Sequence, residues 1–173
     1  MKLEIVTYPD KRLKLISKKV INFDTKLHQL LDAMNEKMLT SNGIGLAAIQ
    51  VNKPLRVMLI NLPDDEGEQS VDNLIEVINP TITAQDGSIF YQEGCLSVPG
   101  FYEDIERFEA ITMTYQDRHG VAQVIEAEGL LSVAIQHELD HLDGKLFIEK
   151  LSYSRRKKFE KEYKKALKEK SKA

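Results

Sequence analysis

His137-Glu138-Leu139-Asp140-His141 reads HExxH inside a run compatible with an α-helix. On such a helix two histidines four residues apart lie about 40° from each other around the axis, so both imidazoles reach one metal ion. Glu138 projects about 60° beyond His141, beside that ion rather than on it. A carboxylate there takes a proton from a metal-bound water, the general-base step of metal-assisted hydrolysis. The preceding Leu130, Leu131, Val133, Ala134 and Ile135 are apolar almost all round, so the helix is expected to be buried. Burying two histidines and a glutamate without partners costs on the order of several kcal/mol, and a metal ion satisfies all three. The plain alternative is a chance match on a solvated helix, and the apolar flank argues against it.

A catalytic site of this kind needs a third protein ligand and one open position for water. A thermolysin-like chain uses a Glu further on, but Glu160 and Glu162 lie in a strongly basic stretch. A metzincin continues as HExxHxxGxxH, and this chain follows that pattern through Gly144 but has Phe147 where the last His belongs. His28 falls on the flank of a helical apolar stripe and His119 in a turn. Cys95 remains, within Glu93-Gly94-Cys95-Leu96-Ser97-Val98-Pro99, and a thiolate is a strong soft ligand for Zn(II) or Fe(II). A lone cysteine in a core strand is ordinarily structural. The helix motif that lacks a ligand shifts that balance.

A third segment, Gly43-Ile44-Gly45-Leu46-Ala47-Ala48-Ile49-Gln50, formally matches the dinucleotide pattern GxGxxA, but it follows a helix and opens a strand, the reverse of that fingerprint. Its glycines instead permit a tight turn and close approach of a ligand to the backbone. Gln50, polar at the end of an apolar strand, is either an ordinary strand-end amide or a hydrogen-bond donor to a ligand.

These residues have to be held by the elements around them. Asp24 can cap a helix whose Leu27, Leu30, Leu31, Met34 and Met38 keep the helical period until Asn42-Gly43 stops it. Met1 to Val6 begins a strand-like pattern, and Leu46–Gln50, Leu55–Asn61, Leu74–Ala84, Ile89–Tyr91, Ala110–Gln116 and Val121–Ala127 read as strands. Asp64-Asp65-Glu66-Gly67 and Asp117-Arg118-His119-Gly120 read as loops between antiparallel strands, the second a hairpin. Helices and strands do not alternate, which makes the chain α+β rather than a doubly wound sheet.

At 173 residues and 42 % hydrophobic composition the chain suits one domain with a full core, residues 1 to 173. No apolar run approaches membrane-spanning length and the opening residues are not a leader, so a soluble cytoplasmic protein is expected, with no membrane or DNA partner. One cysteine excludes an intramolecular disulfide and fits a reducing compartment. The formal charge of −3 hides an asymmetry: residues 152 to 173 hold ten Lys/Arg against three Glu, a net +7, leaving −10 elsewhere. Phe159, Tyr163 and Leu167 at helical spacing make this tail a basic helix with a narrow apolar stripe, either docked by that stripe or free to touch nucleic acid.

Taken together, Gly43 to Gln50, Glu93-Gly94-Cys95-Leu96-Ser97 and Gln136-His137-Glu138-Leu139-Asp140-His141-Leu142 resemble the three signature motifs of bacterial peptide deformylases, in the same order and spacing. The resemblance spans essentially the whole chain, including Tyr8-Pro9-Asp10 and the helix before the first motif. It implies antiparallel sheets packed around a central metal-binding helix, with an N-terminal helix and a basic C-terminal helix. It implies that Cys95, His137 and His141 bind one divalent metal, Fe(II) expected and Ni(II), Co(II) or Zn(II) able to substitute, with Glu138 as base and then proton donor to the departing amine. The substrates implied are N-formyl-methionyl peptides, from which formate is released.

The resemblance further makes the Gln50 side chain and the Leu96 backbone N–H the oxyanion donors. It gives the substrate main chain to the backbone at Gly43, Ile44 and Gly45, and the methionine pocket to Val133 and Ala134 with Ile44, Glu93 and Gly94. Arg107 and Asp140 become a pair behind the metal ligands. Family members often carry a basic residue near the cleft just after the second motif, whereas this chain reads Gly100-Phe101-Tyr102-Glu103-Asp104. A monomer that associates with the ribosome through Arg155 to Lys172 completes the expectation. The rivals are a general metallopeptidase, which has no use for Cys95 as a ligand, and a metal-stabilised module docking on ribosomal RNA, whose site would be closed by four protein ligands.

Overall fold

In the computed structural model, which describes residues 1–172, the first helix forms where the apolar period is strongest. The Asp24 carboxylate accepts from the Leu27 N–H at 3.1 Å, and Leu27, Leu30, Leu31, Met34 and Met38 are all buried. The elements run α1 (Thr25–Thr40), β1 (Gly45–Ala47), β2 (Val57–Ile60), β3 (Ile75–Asp86), β4 (Ile89–Cys95), β5 (Val98–Arg107), β6 (Ala110–Gln116), β7 (Ala122–Glu128), α2 (Gly129–Leu142) and α3 (Tyr153–Ser171). This is the α+β arrangement anticipated, with antiparallel pairing in both sheets.

One sheet has the order β1-β2-β3-β6-β7, and β4 and β5 form a separate pair. All four residues of β2 are buried, because the strand is covered on both faces. Val57 and Leu59 join the α1 side chains in one core, while Met58 and Ile60 meet Ala134, Ile135 and Leu142 of α2 in another. The alternation of a strand thus divides its apolar run between two helices. A third core joins Val98 and Ile105 of β5 to Leu13, Phe147, Phe159 and Tyr163. There the Tyr163 hydroxyl donates to the Tyr8 carbonyl at 2.9 Å, and Arg155 pairs with Glu103.

Four sequence expectations need correction. Met1 to Val6 forms no strand; it runs beside the site, where the Val6 N–H donates to the Gln50 carbonyl and the Tyr8 N–H to the Ser97 carbonyl, both at 2.7 Å. The strand expected over Leu46–Gln50 ends at Ala47, and a 3₁₀ turn covers Ala48–Val51 because the Gln50 side chain accepts from the Ala47 N–H at 2.9 Å. Ile89–Tyr91 is only the start of β4, which continues to Cys95 by pairing with β5, a strand not anticipated at all. Of the apolar stripe on α3, Phe159 and Tyr163 are buried but Leu167 is 41 % exposed, so the helix docks by its first half alone.

The loops at Asp64–Gly67 and Asp117–Gly120 do join antiparallel neighbours, β2 to β3 and β6 to β7. Among the described residues no helix is long and apolar enough to cross a membrane. Met34 is fully buried between α1 and the sheet, whereas Asp24 acts only at the helix end. Met34→Ala is therefore expected to cost about 2–5 kcal/mol and Asp24→Ala about 0.5–2 kcal/mol, read from the midpoints of denaturant unfolding.

Candidate metal centre and substrate cleft

Two elements distant in sequence meet at the site. β4 ends at Cys95, where the register of the β4–β5 pair slips between Gly94 and Cys95, and α2 presents His137, Glu138 and His141 from a buried face. One donor atom from each of Cys95, His137 and His141 falls within 4.8 Å of the others, with the cysteine sulfur 3.3 Å from His141 Nε2. His137 Nδ1 lies 2.8 Å from Glu93 Oε1, which leaves its Nε2 for the centre. A thiolate and two imidazoles are a donor set that suits a divalent transition metal, and three ligands leave a position open. His28 and His119 take no part; they stack edge to face at 5.2 Å, and His28 Nε2 lies 2.8 Å from the Arg118 carbonyl.

Behind the ligands lies a buried ion network. Arg107, with a side chain only 2 % exposed, grips Glu93 through Nε at 2.7 Å and Nη2 at 2.8 Å, and reaches Asp140 through Nη1 at 2.6 Å. The Arg107–Asp140 pair is present, and Glu93 stands on its other side. Burial works to raise the Glu93 carboxyl, and the hydrogen bonds from Arg107 and His137 overcome it, holding the group below its ordinary value. The Glu93 carboxylate is thus directed to His137 and Arg107, although the residue also lines the cleft. Sequence reasoning assigned Glu93 to the substrate pocket and missed this role, since Arg107 becomes its neighbour only through the unanticipated β5.

Glu138 is buried, and its Oε2 has no hydrogen-bond partner. Burial pushes its carboxyl up to about 7. The side chain lies against Gly45 so closely that a Cβ there would stand 2.9 Å from Glu138 Oε1. Gly43 is likewise hemmed in, by Leu96 Cδ1 at 2.8 Å from a built Cβ. These two positions are glycine because the backbone of the first motif is pressed onto the second and third.

The Gln50 amide has its oxygen committed to the Ala47 N–H, so its Nε2 is turned to Ser97 Oγ at 3.1 Å and Cys95 Sγ at 3.5 Å. The cleft of about 380 Å³ beside the cluster is lined by Gly43, Ile44, Gly45, Gln50, Glu93, Gly94, Leu96, Val133, Ala134 and Glu138, all singled out in the sequence. It also takes in Tyr91, Leu130 of the apolar flank, and Phe101 and Tyr102 of the segment that lacks the basic residue common in the family. Two further residues were named in the sequence but given no role. Gln136 fastens α2 to the β5–β6 link, accepting from the Phe108 N–H at 3.1 Å and donating to its carbonyl at 2.8 Å. Phe147, which stands where a metzincin has its third histidine, stacks on the His137 ring at 5.9 Å. A polar residue directly before a buried histidine was the available signal for Gln136; Phe147 offered none.

A family model described as polypeptide deformylase matches residues 2–157. A peptide deformylase of Helicobacter pylori strain J99 is 58 % identical over 162 residues, 94 % of this chain and 93 % of that one. Another, from Nautilia profundicola, is 58 % identical over 170 residues, 98 % of each. Among solved structures, a peptide deformylase from Legionella pneumophila superposes with a TM-score of 0.90 at 36 % identity, covering 100 % of this chain and 99 % of that one. One from Ehrlichia chaffeensis in complex with actinonin gives 0.86 at 39 % identity, covering 95 % and 97 %. One from Acinetobacter baumannii with Met-Ala-Ser bound gives 0.80 at 32 % identity, covering 87 % and 99 %. With likeness of sequence along nearly its full length, and with a Cys/His/His cluster set beside a buried glutamate, the chain belongs to the polypeptide deformylase family.

Proposed function

We propose that this chain, as a single catalytic domain, hydrolyses the formyl amide of N-formyl-methionyl peptides at the start of new polypeptides, releasing formate and a free amino terminus. The observation that carries the reading is the Glu138 carboxylate, buried with one oxygen unpartnered, next to a three-donor cluster at the foot of the cleft. The peptide held by the Acinetobacter baumannii relative, Met-Ala-Ser, is what such a reaction would leave.

Cys95, His137 and His141 would hold a divalent ion, which would supply Lewis acidity to a carbonyl oxygen and to water. Glu138 takes the proton from the attacking water and delivers it to the departing amine. The burial of Glu138, with one oxygen unpartnered, leaves that carboxylate free to accept and return a proton. The Gln50 amide N–H and the Leu96 backbone N–H donate to the oxyanion of the tetrahedral intermediate. The edge strand β1, with Gly43 and Ile44 that lead into it, offers its backbone at Gly43, Ile44 and Gly45 to an extended substrate, and Val133, Ala134 and Ile44 make an apolar wall for the methionine side chain. Arg107 and Asp140, with Glu93, keep His137 oriented.

Fe(II) is the ion we assign, with Ni(II), Co(II) or Zn(II) as substitutes, since the ligand set alone does not choose among them. The enzyme is read as a cytoplasmic monomer that meets its substrates at the ribosome through α3. Because Phe159 and Tyr163 are buried, removing α3 would open the third core, and charge reversal is the cleaner test. Reversing the exposed Lys161, Lys164, Lys165 and Lys168 to Glu is expected to weaken ribosome co-sedimentation at low salt with turnover of a small peptide kept within about twofold.

Formate release from formyl-Met-Ala-Ser, by protein purified without oxygen and with bound metal quantified, tests the activity itself. Cleavage of an unformylated peptide without formate would instead favour a metallopeptidase. Glu138→Gln is expected to keep the metal and lower turnover by about 10²–10⁴, and retention of most of the rate would reject the general-base role. Cys95→Ala is expected to lose the metal itself, seen as a fall in metal per chain by elemental analysis.

A further inference from the structure

The backbone of the first motif is braced from a direction that the catalytic residues do not account for. After β2 the chain passes through the loop from Leu62 to Asn73, and Gln69 in this loop reaches back to the site. Its Nε2 donates to the Gly43 carbonyl at 2.9 Å and to the Asn61 carbonyl at 2.8 Å. Asn61 is 1 % exposed; its backbone N–H donates to the Ile44 carbonyl at 2.8 Å and its side-chain N–H to the Ser70 carbonyl at 3.0 Å. The loop itself is wound about Asp64, whose carboxylate accepts from the N–H groups of Glu66 and Glu68, each at 2.9 Å. Two successive carbonyls of the first motif are therefore fixed from the β2 side, while β1 is an outer strand of its sheet.

We propose that Gln69 is a positioning residue for substrate binding: as the donor shared by Gly43 and Asn61, it ties the segment that leads into β1 to the end of β2, in the geometry that receives the substrate main chain. The inference rests on the reading above, in which Gly43 to Gly45 carries that main chain. Gln69 does not line the cleft, so its effect passes through the backbone it holds. Binding to an edge strand depends on the alignment of backbone groups over several residues, and a brace that removes their freedom lowers the ordering cost of binding. Such a residue acts on KM and leaves the proton transfers at Glu138 untouched.

The test is steady-state formate release by metal-loaded wild type, Gln69→Ala, Gln69→Glu and Asp64→Ala on formyl-Met-Ala-Ser and on formyl-methionine amide. Loss of the shared donor is expected to raise KM for formyl-Met-Ala-Ser about five- to tenfold, with kcat within about threefold and bound metal unchanged. Gln69→Glu, which sets a carboxylate against two carbonyls, should be worse than Gln69→Ala, and Asp64→Ala should shift KM in the same direction by less. The short amide, with no chain beyond its first residue, should show a smaller shift. A KM within twofold of wild type in Gln69→Ala, or an equal shift for both substrates, overturns the proposal. If Gln69→Glu fails to fold, Gln69→Ala and Asp64→Ala decide alone. Absence of formate release by wild type would instead overturn the activity on which the inference rests.

Discussion

A guanidinium shut away from water with carboxylates on two sides is the interaction on which the rest of the site depends. Arg107 belongs to β5, Glu93 to β4 and Asp140 to α2, so its hydrogen bonds tie together the elements that deliver the three metal-ligand candidates. One guanidinium faces two carboxylates, and the charges balance only with Lys150, whose Nζ lies 3.7 Å from Asp140. Removing one partner from such a cluster leaves a desolvated charge behind, at a cost of about 3–5 kcal/mol, and the same loss would free the His137 ring to turn. Stability and orientation of the metal ligands are thus the same property here.

The second constraint is the closeness of the first motif's backbone to side chains of the other two. β2 is a wall shared by two cores, and α2 lies against the neighbouring β1 near enough that Gly45 has room for no side chain beside Glu138. Gly43 meets Leu96 in the same way. The three motifs, far apart along the chain, form a single packed unit in which Glu138, Leu96 and the backbone of Gly43 to Gly45 hold each other in place.

Much of this was legible in residue types and spacing. The buried HExxH helix, the capped first helix and the two short loops all rest on local signals, and the structure has them. β5 was not read as a strand because Pro99, Gly100 and the acidic Glu103, Asp104 and Glu106 break any apolar alternation; only pairing with β4 makes it one. The turn at Ala48–Val51 was hidden for a related reason: an apolar run reads as a strand until a side chain such as Gln50 captures the backbone. The role of Glu93 could not be read from its own motif, since it is defined by a partner from another strand. What local pattern determines was accessible, and what long-range register determines was not.

Glu138 also bears on how the protein would respond to a different selection. A buried carboxylate with an unpartnered oxygen is a group that folding by itself disfavours. A library of variants screened for heat resistance alone would drift toward uncharged residues of similar shape at position 138, and the winners would be robust and inert. The molecule forgoes part of its folding free energy at that one position, and the role proposed for Glu138 is what that loss would serve.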